Sequence, residues 1–407
     1  MTTKTNIQAG YKDSSVGVIP QEWEVASLGK LVSITSGESP SLFNLREIGK
    51  YPYIKVEDMN NCEKYQLLSR EYTDDERCAI QKGSIIFPKR GAAITNNKVR
   101  IAACQLYMDS NMMAIMPNDF VCGDYLYFKI TYEQLFRIAD TSTIPQINNK
   151  HIIPYKICLP PLAEQRKIAE ILGAWDEAIE KQSRLIEKLE LRKRALMQRL
   201  LTGRTRLLGF TSPWQKVSYS EILKEVKRNM TWDDNEEYDL ISVKRRSGGL
   251  FHRNRLLGKD IKTKNLRPAK FGDFLISKMQ IVHGASGLVT EEFDGMKISG
   301  SYIALVAKSR EKVDMNFINW YSQTPYFYHQ TYVSSYGVHI EKMTFDLESF
   351  MSMNIMLPPL PEQKAIAEVL TAADNEIVTH RKKLDALRLQ KRGLMQQLLT
   401  GKTRVKI

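Results

Sequence analysis

Cysteine is scarce in this chain, and the little there is does not fall into pairs. The five residues (Cys62, Cys78, Cys104, Cys122 and Cys158) are odd in number, lie in the first half and form no CxxC. That argues against a disulfide framework and against a zinc site. Six scattered histidines make no HExxH; His283 in "IVHGASG" and His339 in "YGVHIEK" stand alone and suit a structural or base-contacting role. No GxxxxGK(S/T) offers a phosphate cradle, and no glycine-rich turn followed by an acid suggests a bound dinucleotide or methyl donor. The two "LPPL" stretches lack the flanking polar and aromatic residues of an amino-methyltransferase motif, and "EVK" at 225–227 has no Pro-Asp ahead of it as a nuclease would. Long hydrophobic runs are missing too. Nothing approaches the roughly 18 apolar residues of a membrane helix, and the polar start "MTTKTNIQAGYKDSS" carries no signal-peptide pattern. These absences lead us to expect a non-catalytic, soluble protein of the cytoplasm with no membrane partner.

What the sequence does contain is a repeat. Residues 159–172 read "LPPLAEQRKIAEIL" and residues 357–370 read "LPPLPEQKAIAEVL", 198 positions apart. Laid over one another without a gap, 159–206 and 357–404 match at 26 of 48 positions. A match of that length sets the domain plan before any other feature. Each copy is dominated by Glu, Lys, Arg, Leu, Ala and Gln, strong helix formers. A proline pair suited to a first turn, then Glu164 or Glu362 at the positive end of the helix dipole, marks each start. Gly203 and Gly401 mark the stops. Apolar residues recur at spacings of four and three, beginning Ile168, Leu172, Trp175, Ile179 in one copy and Ile366, Leu370, Ala373, Ile377 in the other, which is a coiled-coil seam. Its polar breaks correspond as well, Gln182 with His380 and Lys193 with Lys391. The two helices are therefore expected to pair with each other, or each with the same kind of partner. Identity at Glu164, Gln165 and Glu170, and at their counterparts Glu362, Gln363 and Glu368, exceeds what a seam needs. Capping accounts best for Glu164 and Glu362; docking of an identical partner on each copy accounts for the rest.

Net charge is +13, unevenly placed. Residues 1–158 hold 18 basic and 17 acidic residues and 208–356 hold 20 and 17, so most of the excess sits on the repeats. Those two intervening segments differ in sequence but follow one order: a tryptophan (Trp23, Trp214), an alternating strand ("YPYIKV" at 51–56, "YDLISV" at 238–243), and a glycine before an apolar strand and a basic turn ("KGSIIFPKRG", "FGDFLISKMQ"). A further strand follows ("NMMAIMP", "SYIALVA"), then an aromatic helix around Tyr125–Phe128 or Phe317–Tyr321. Two domains with one fold and different targets should look like this. Within 241–270 stand ten basic residues against the single acid Asp260. Lys244, Arg245, Arg246, Arg253 and Arg255 of that stretch are candidates for DNA contact, joined by Lys278 at the end of "GDFLISK". The first domain offers a smaller set, Lys89, Arg90, Lys98 and Arg100 in "PKRGAAITNNKVR". Arginine can bond guanine bidentately, and both residue types neutralise phosphates.

The doubled "LPPLxEQ" stretch, each copy running through a heptad helix to "LMQRLLTGRTR" or "LMQQLLTGKTR", resembles the conserved regions of type I restriction–modification specificity subunits. The resemblance covers the whole chain, and "GDFLISK" fits the glycine-acid turn of that family's variable domains, whereas "GSIIFPK" puts Ser84 in place of the acid. It implies two target recognition domains of mixed α/β fold (1–158 and 208–356). These are separated by two conserved helical regions (159–207 and 357–407) that form an antiparallel coiled coil with a pseudo-twofold internal repeat. It further implies a double-stranded DNA target in two halves, two methylation subunits docked on the conserved regions, and restriction subunits joining that core. S-adenosylmethionine, ATP and magnesium would belong to those partners, and no cofactor to this chain. A reading of another class remains open at this stage: a coiled-coil scaffold whose globular ends bind proteins.

Overall fold

A computed structural model describes residues 9–77, 79–142 and 144–407 of the chain; Cys78 and the first eight residues of the polar amino terminus lie outside the described residues. The chain divides into two units, residues 1–183 with 383–407, and residues 184–382. The division differs from the four-segment plan: the helical regions are not separate bodies, and each unit contains part of both long helices.

In the first unit a five-stranded mixed sheet runs in the order Val32–Ser36, Met112–Pro117, Ile85–Pro88, Arg100–Ala102, Tyr65–Gln66. Met112–Pro117 reads as an unbroken apolar run because it lies inside the sheet, with Ile115 opposite Ile34 on one side and Ile85 on the other. Its alternate side chains serve different cores. Met113 and Ile115 join Trp23 and Phe128, while Met112 and Ala114 join Ile54 and Met59. The aromatic stretch expected to be helical is helix Gly123–Glu133, with Tyr125, Leu126 and Phe128 buried.

The second unit repeats this plan. Its strands Leu223–Glu225, Tyr302–Ala307, Phe274–Ser277 and Ser286–Leu288 stand in the same antiparallel order as the first four of the other sheet. A second four-stranded sheet adds the long hairpin Glu237–Val243 and Leu250–Leu257. Helix Met315–Tyr321 takes the place of Gly123–Glu133, burying Phe317, Trp320 and Tyr321.

The two helices expected from the repeat run Leu162–Leu200 and Leu360–Leu398, 39 residues each. Matching pairs of strands precede them: Lys156–Leu159 beside Glu24–Ser27, and Asn354–Leu357 beside Gln215–Ser218. In the first unit Ile168 and Leu172 share a core with Met395 and Leu398 of the other helix; in the second, Ile366 and Leu370 share one with Leu200. Full burial of each such side chain contributes about 1.5–3 kcal/mol. The helices thus pair antiparallel within each unit and also cover that unit's core. The lysine breaks in the seam have a reason that the sequence pattern alone did not disclose: Lys391 meets Asp176 in the first unit, and Lys193 meets Asp374 in the second. All four residues are equivalents across the repeat. Among the described residues, no helix is long and apolar enough to cross a membrane.

Candidate nucleic-acid interface

The most regular feature of each unit is a buried carboxylate. Glu164 is fully buried, and its oxygens accept from Trp23 Nε1 at 2.9 Å and from Arg404 Nε and Nη2 at 2.7 and 2.9 Å. In the second unit Glu362, equally buried, accepts from Trp214 Nε1 at 3.0 Å and from Arg206 Nε and Nη2. Arg206 and Arg404 are themselves equivalents, so each repeat's tail clamps the other repeat's start. Bonding to Glu164 and Glu22 holds the Arg404 guanidinium well above the usual arginine range. The next residue follows the same rule. Gln165 accepts from Cys122 N at 2.8 Å and donates to Pro160 O at 2.9 Å; Gln363 accepts from Asp314 N at 2.9 Å and donates to Pro358 O at 2.8 Å. This corrects the expectation that Gln165 and Gln363, and beyond a capping role Glu164 and Glu362, face a partner. Their polar atoms are buried and occupied inside the chain, and their identity across the repeat follows from one latch built twice. Glu170 and Glu368 alone of that set are exposed, Glu170 pairing with Lys167 at 3.0 Å.

The basic residues of the second domain do not form one patch. Arg255, on strand Leu250–Leu257, lies 3.3 Å from Glu237 and 3.6 Å from Asp239, and Arg253 donates to its neighbour Asn254. Both side chains are exposed on the hairpin. Lys244, Arg245 and Arg246 gather instead on the turn that closes it, with Lys244 over the Phe251 ring. Arg246 and Ser247 both take left-handed φ values, 56° and 53°, a conformation that favours glycine and asparagine. The turn is held by its surroundings: Arg246 N donates to His283 O at 2.7 Å, Ser247 N to Gly284 O at 2.9 Å, and the Ser247 and Tyr328 hydroxyls bond at 2.7 Å. Gly284 is required here, because a Cβ would fall 1.9 Å from the Tyr328 oxygen. Backbone strain kept by such supports marks a site where side-chain placement matters. The turn projects Arg245 toward Gln280 and Glu341, and leaves Arg246 without a side-chain partner among the described residues.

Lys278 lines a cleft of about 920 Å³, together with Lys227, Arg267, Trp232 and Tyr336. The acid of "GDFLISK" has a structural task at its rim: buried Asp273 accepts from Arg228 Nη1 and Nη2 and from Lys270 N. The first domain, with Ser84 at that position, has no such pair; Ser84 is buried against Met116.

In the first domain Lys89 and Arg90 follow strand Ile85–Pro88 as Lys278 follows Phe274–Ser277. The correspondence extends to the backbone, since Ile147 N donates to Lys89 O and Phe345 N to Lys278 O, both at 2.9 Å. Burial, and then the neighbouring Arg90 guanidinium, push Lys89 below the usual lysine range, and a bound anion would relieve that repulsion. Lys98 bonds Asn60. Arg100 is a correction: its Nε, Nη1 and Nη2 donate to the carbonyls of Cys62, Val99 and Met59, so it closes a loop instead of facing DNA. Sequence reasoning missed Arg206 and Arg404, although the repeat match ends on them, and it missed Lys227, which only folding brings to the cleft beside Arg267 of the basic stretch.

Burial raises the Cys62 and Cys104 thiols above their ordinary range, which disfavours the thiolate. Among the described residues no group of three His, Cys, Asp or Glu side chains could hold a metal ion.

Comparison with known proteins agrees with this architecture. Residues 20–191 and 211–388 match the family described as type I restriction modification DNA specificity domain. The type I restriction enzyme MjaVIII specificity subunit of Methanocaldococcus jannaschii is 24% identical over 433 residues, covering 95% of this chain and 94% of that protein. The putative MjaX specificity subunit of the same organism is 27% identical, with 98% of each chain covered. Among solved structures, the type I restriction–modification S subunit from M. genitalium shares the fold at a TM-score of 0.59 and 14% identity, covering 98% of this chain and 99% of that one. With both halves matched and the sheet order repeated, the chain belongs to the type I restriction–modification DNA specificity family.

Proposed function

We propose that this chain is the DNA-reading specificity subunit of a type I restriction–modification complex, each domain reading one half of a split double-stranded target. The observation that carries the reading is one anchored element built twice with different side chains. Lys89 and Lys278 each follow an equivalent strand and hold an equivalent return loop, yet their neighbours differ, Arg90 in one domain and the Arg245–Arg246 turn in the other. Equal scaffolds with unequal contact residues are what two unlike half-sites require. The paired helices set the spacer between the halves, and one methylation subunit docks on each conserved region, with restriction subunits joining that core. The chain supplies no catalysis. S-adenosylmethionine for modification, and ATP with magnesium for cleavage, are held by the partners, and the complex acts in the cytoplasm.

Deleting one heptad from both helices tests this. A heptad is ~10 Å of helix, about three base pairs, so the spacer of the methylated sequence should shorten while both half-sites stay unchanged. Altered half-sites with an unaltered spacer would refute it. The scaffold alternative predicts no salt-dependent DNA binding at all.

A further inference from the structure

We infer that the return loop of the second domain, strands Ser335–Tyr336 and Thr344–Phe345 with the tip between them, is its groove-entering element, and that Val338 contacts a thymine methyl in the major groove. The inference rests on the DNA-reading function proposed above.

Three apolar side chains stand out in five positions of this loop: Tyr336 is 65% exposed, Val338 96% and Ile340 49%. Single exposed apolar residues are common on protein surfaces, but these occupy the end of an arm whose root is fixed. Met343 and Phe345 are buried, and Ser335 pairs with Phe345 and Tyr336 with Thr344. The tip is folded back on itself, since a Cβ on Gly337 would lie 3.0 Å from Met343 Cα. Glu341 ties it to the strained turn, with Oε2 accepting from Arg245 Nη2 at 3.0 Å and Oε1 standing 3.3 Å from His283 Nε2. Val338 is thus presented by a braced loop.

The surroundings identify the occupant. Tyr336 shares the cleft with Lys278, Lys227 and Arg267, and Glu341 of the tip bonds Arg245 of the basic turn. An apolar tip with cations on the elements around it suits a polyanion with apolar features in its groove. A second copy of this chain would set the same cations against these and be repelled. Groove width then chooses the contact. A two-stranded ribbon fits the major groove, about 12 Å wide, and not the minor groove at about 6 Å. In the major groove the apolar feature of a base pair is the thymine methyl. The first domain carries a counterpart: its return loop, bound to Lys89 O, exposes Ile144 to 68%.

The test uses the full chain assembled with its methylation subunit. The modified motif is first mapped with the unaltered chain; if no bipartite motif is found, the proposed function fails and the loop is not at issue. Binding is then measured on the mapped target with each thymine of the second half-site replaced in turn by uracil, which lacks the methyl. One replacement should weaken the unaltered complex about fourfold, the effect of one buried methyl. The same replacement should leave a Val338→Ala complex unchanged, and that variant should accept other bases at this position while the first half-site is read as before. Val338 is exposed, so the variant folds. Three results would overturn the inference: a second half-site without A·T pairs, equal uracil sensitivity in both complexes, or a Val338→Ala complex with unchanged motif and affinity.

Discussion

Removing one guanidinium near the carboxyl end of the chain should loosen the first unit at a helix start 240 residues away. In the Arg404→Ala variant the Glu164 carboxylate, fully buried, keeps only the Trp23 indole N–H. Breaking a buried ion pair from one side costs about 3–5 kcal/mol, because the remaining charge is left in a medium that solvates it poorly. Arg404 is itself about a third exposed, which lets water reach the vacated space and favours the lower end. A loss near 3 kcal/mol corresponds to roughly a 150-fold rise in local opening. The chain has two units, so a single melting curve would mix them; amide hydrogen exchange resolved by segment is the suitable assay. Protection should fall around Trp23 and the first turns of helix Leu162–Leu200, and hold in residues 208–356. Arg206→Ala should give the converse pattern around Trp214 and Glu362. Replacing both partners, Glu164→Leu with Arg404→Met, should recover part of the loss, since no unpaired charge remains. If Arg404→Ala behaves as a surface substitution, within about 0.5 kcal/mol, the latch is not what holds the helix start.

The remaining predictions concern the seam and the basic residues. Reversing the Asp176–Lys391 pair (Asp176→Lys with Lys391→Asp) should restore most of the stability lost in either single variant, with a coupling of about 0.5–3 kcal/mol in a denaturation cycle; additive losses would show that the pair does not set register. Arg100→Ala should destabilise the first unit by about 1–3 kcal/mol through carbonyls left without donors, and leave the salt dependence of DNA binding unaltered in filter-binding titrations. Arg245→Ala with Arg246→Ala should reduce the salt slope by about 0.9 for each phosphate no longer neutralised, or relax base preference in the second half-site only, as footprinting would report. Changing the exposed Glu170 to Ala should leave the fold intact; if it forms part of a docking face, the light-scattering mass of the complex falls by one methylation subunit, and an unchanged mass removes it from that face.

Much of the plan was present in the sequence because its causes are local or periodic. The 26 matches of 48 placed two helices of one kind, their spacing of apolar residues defined the seam, and runs such as "NMMAIMP" and "SYIALVA" became the strands Met112–Pro117 and Tyr302–Ala307. Repetition also drew attention to Glu164, Gln165, Glu362 and Gln363, but a matched polar residue reads the same whether it serves a partner or the chain's own interior. Only the tertiary structure decided between them, by bringing Arg404 and Trp23 to Glu164 across 240 and 141 positions. The same holds for the basic residues. In sequence, Arg100 and Arg246 are equal members of two charged runs; folded, one guanidinium is spent on three backbone carbonyls while the other stands on a strained turn without a side-chain partner among the described residues. Composition and period determined which segments are helices, strands and cores, because those depend on neighbours along the chain. Which charges are free to meet DNA depends on neighbours in space, and these are set by loop closures that leave no periodic trace in the sequence.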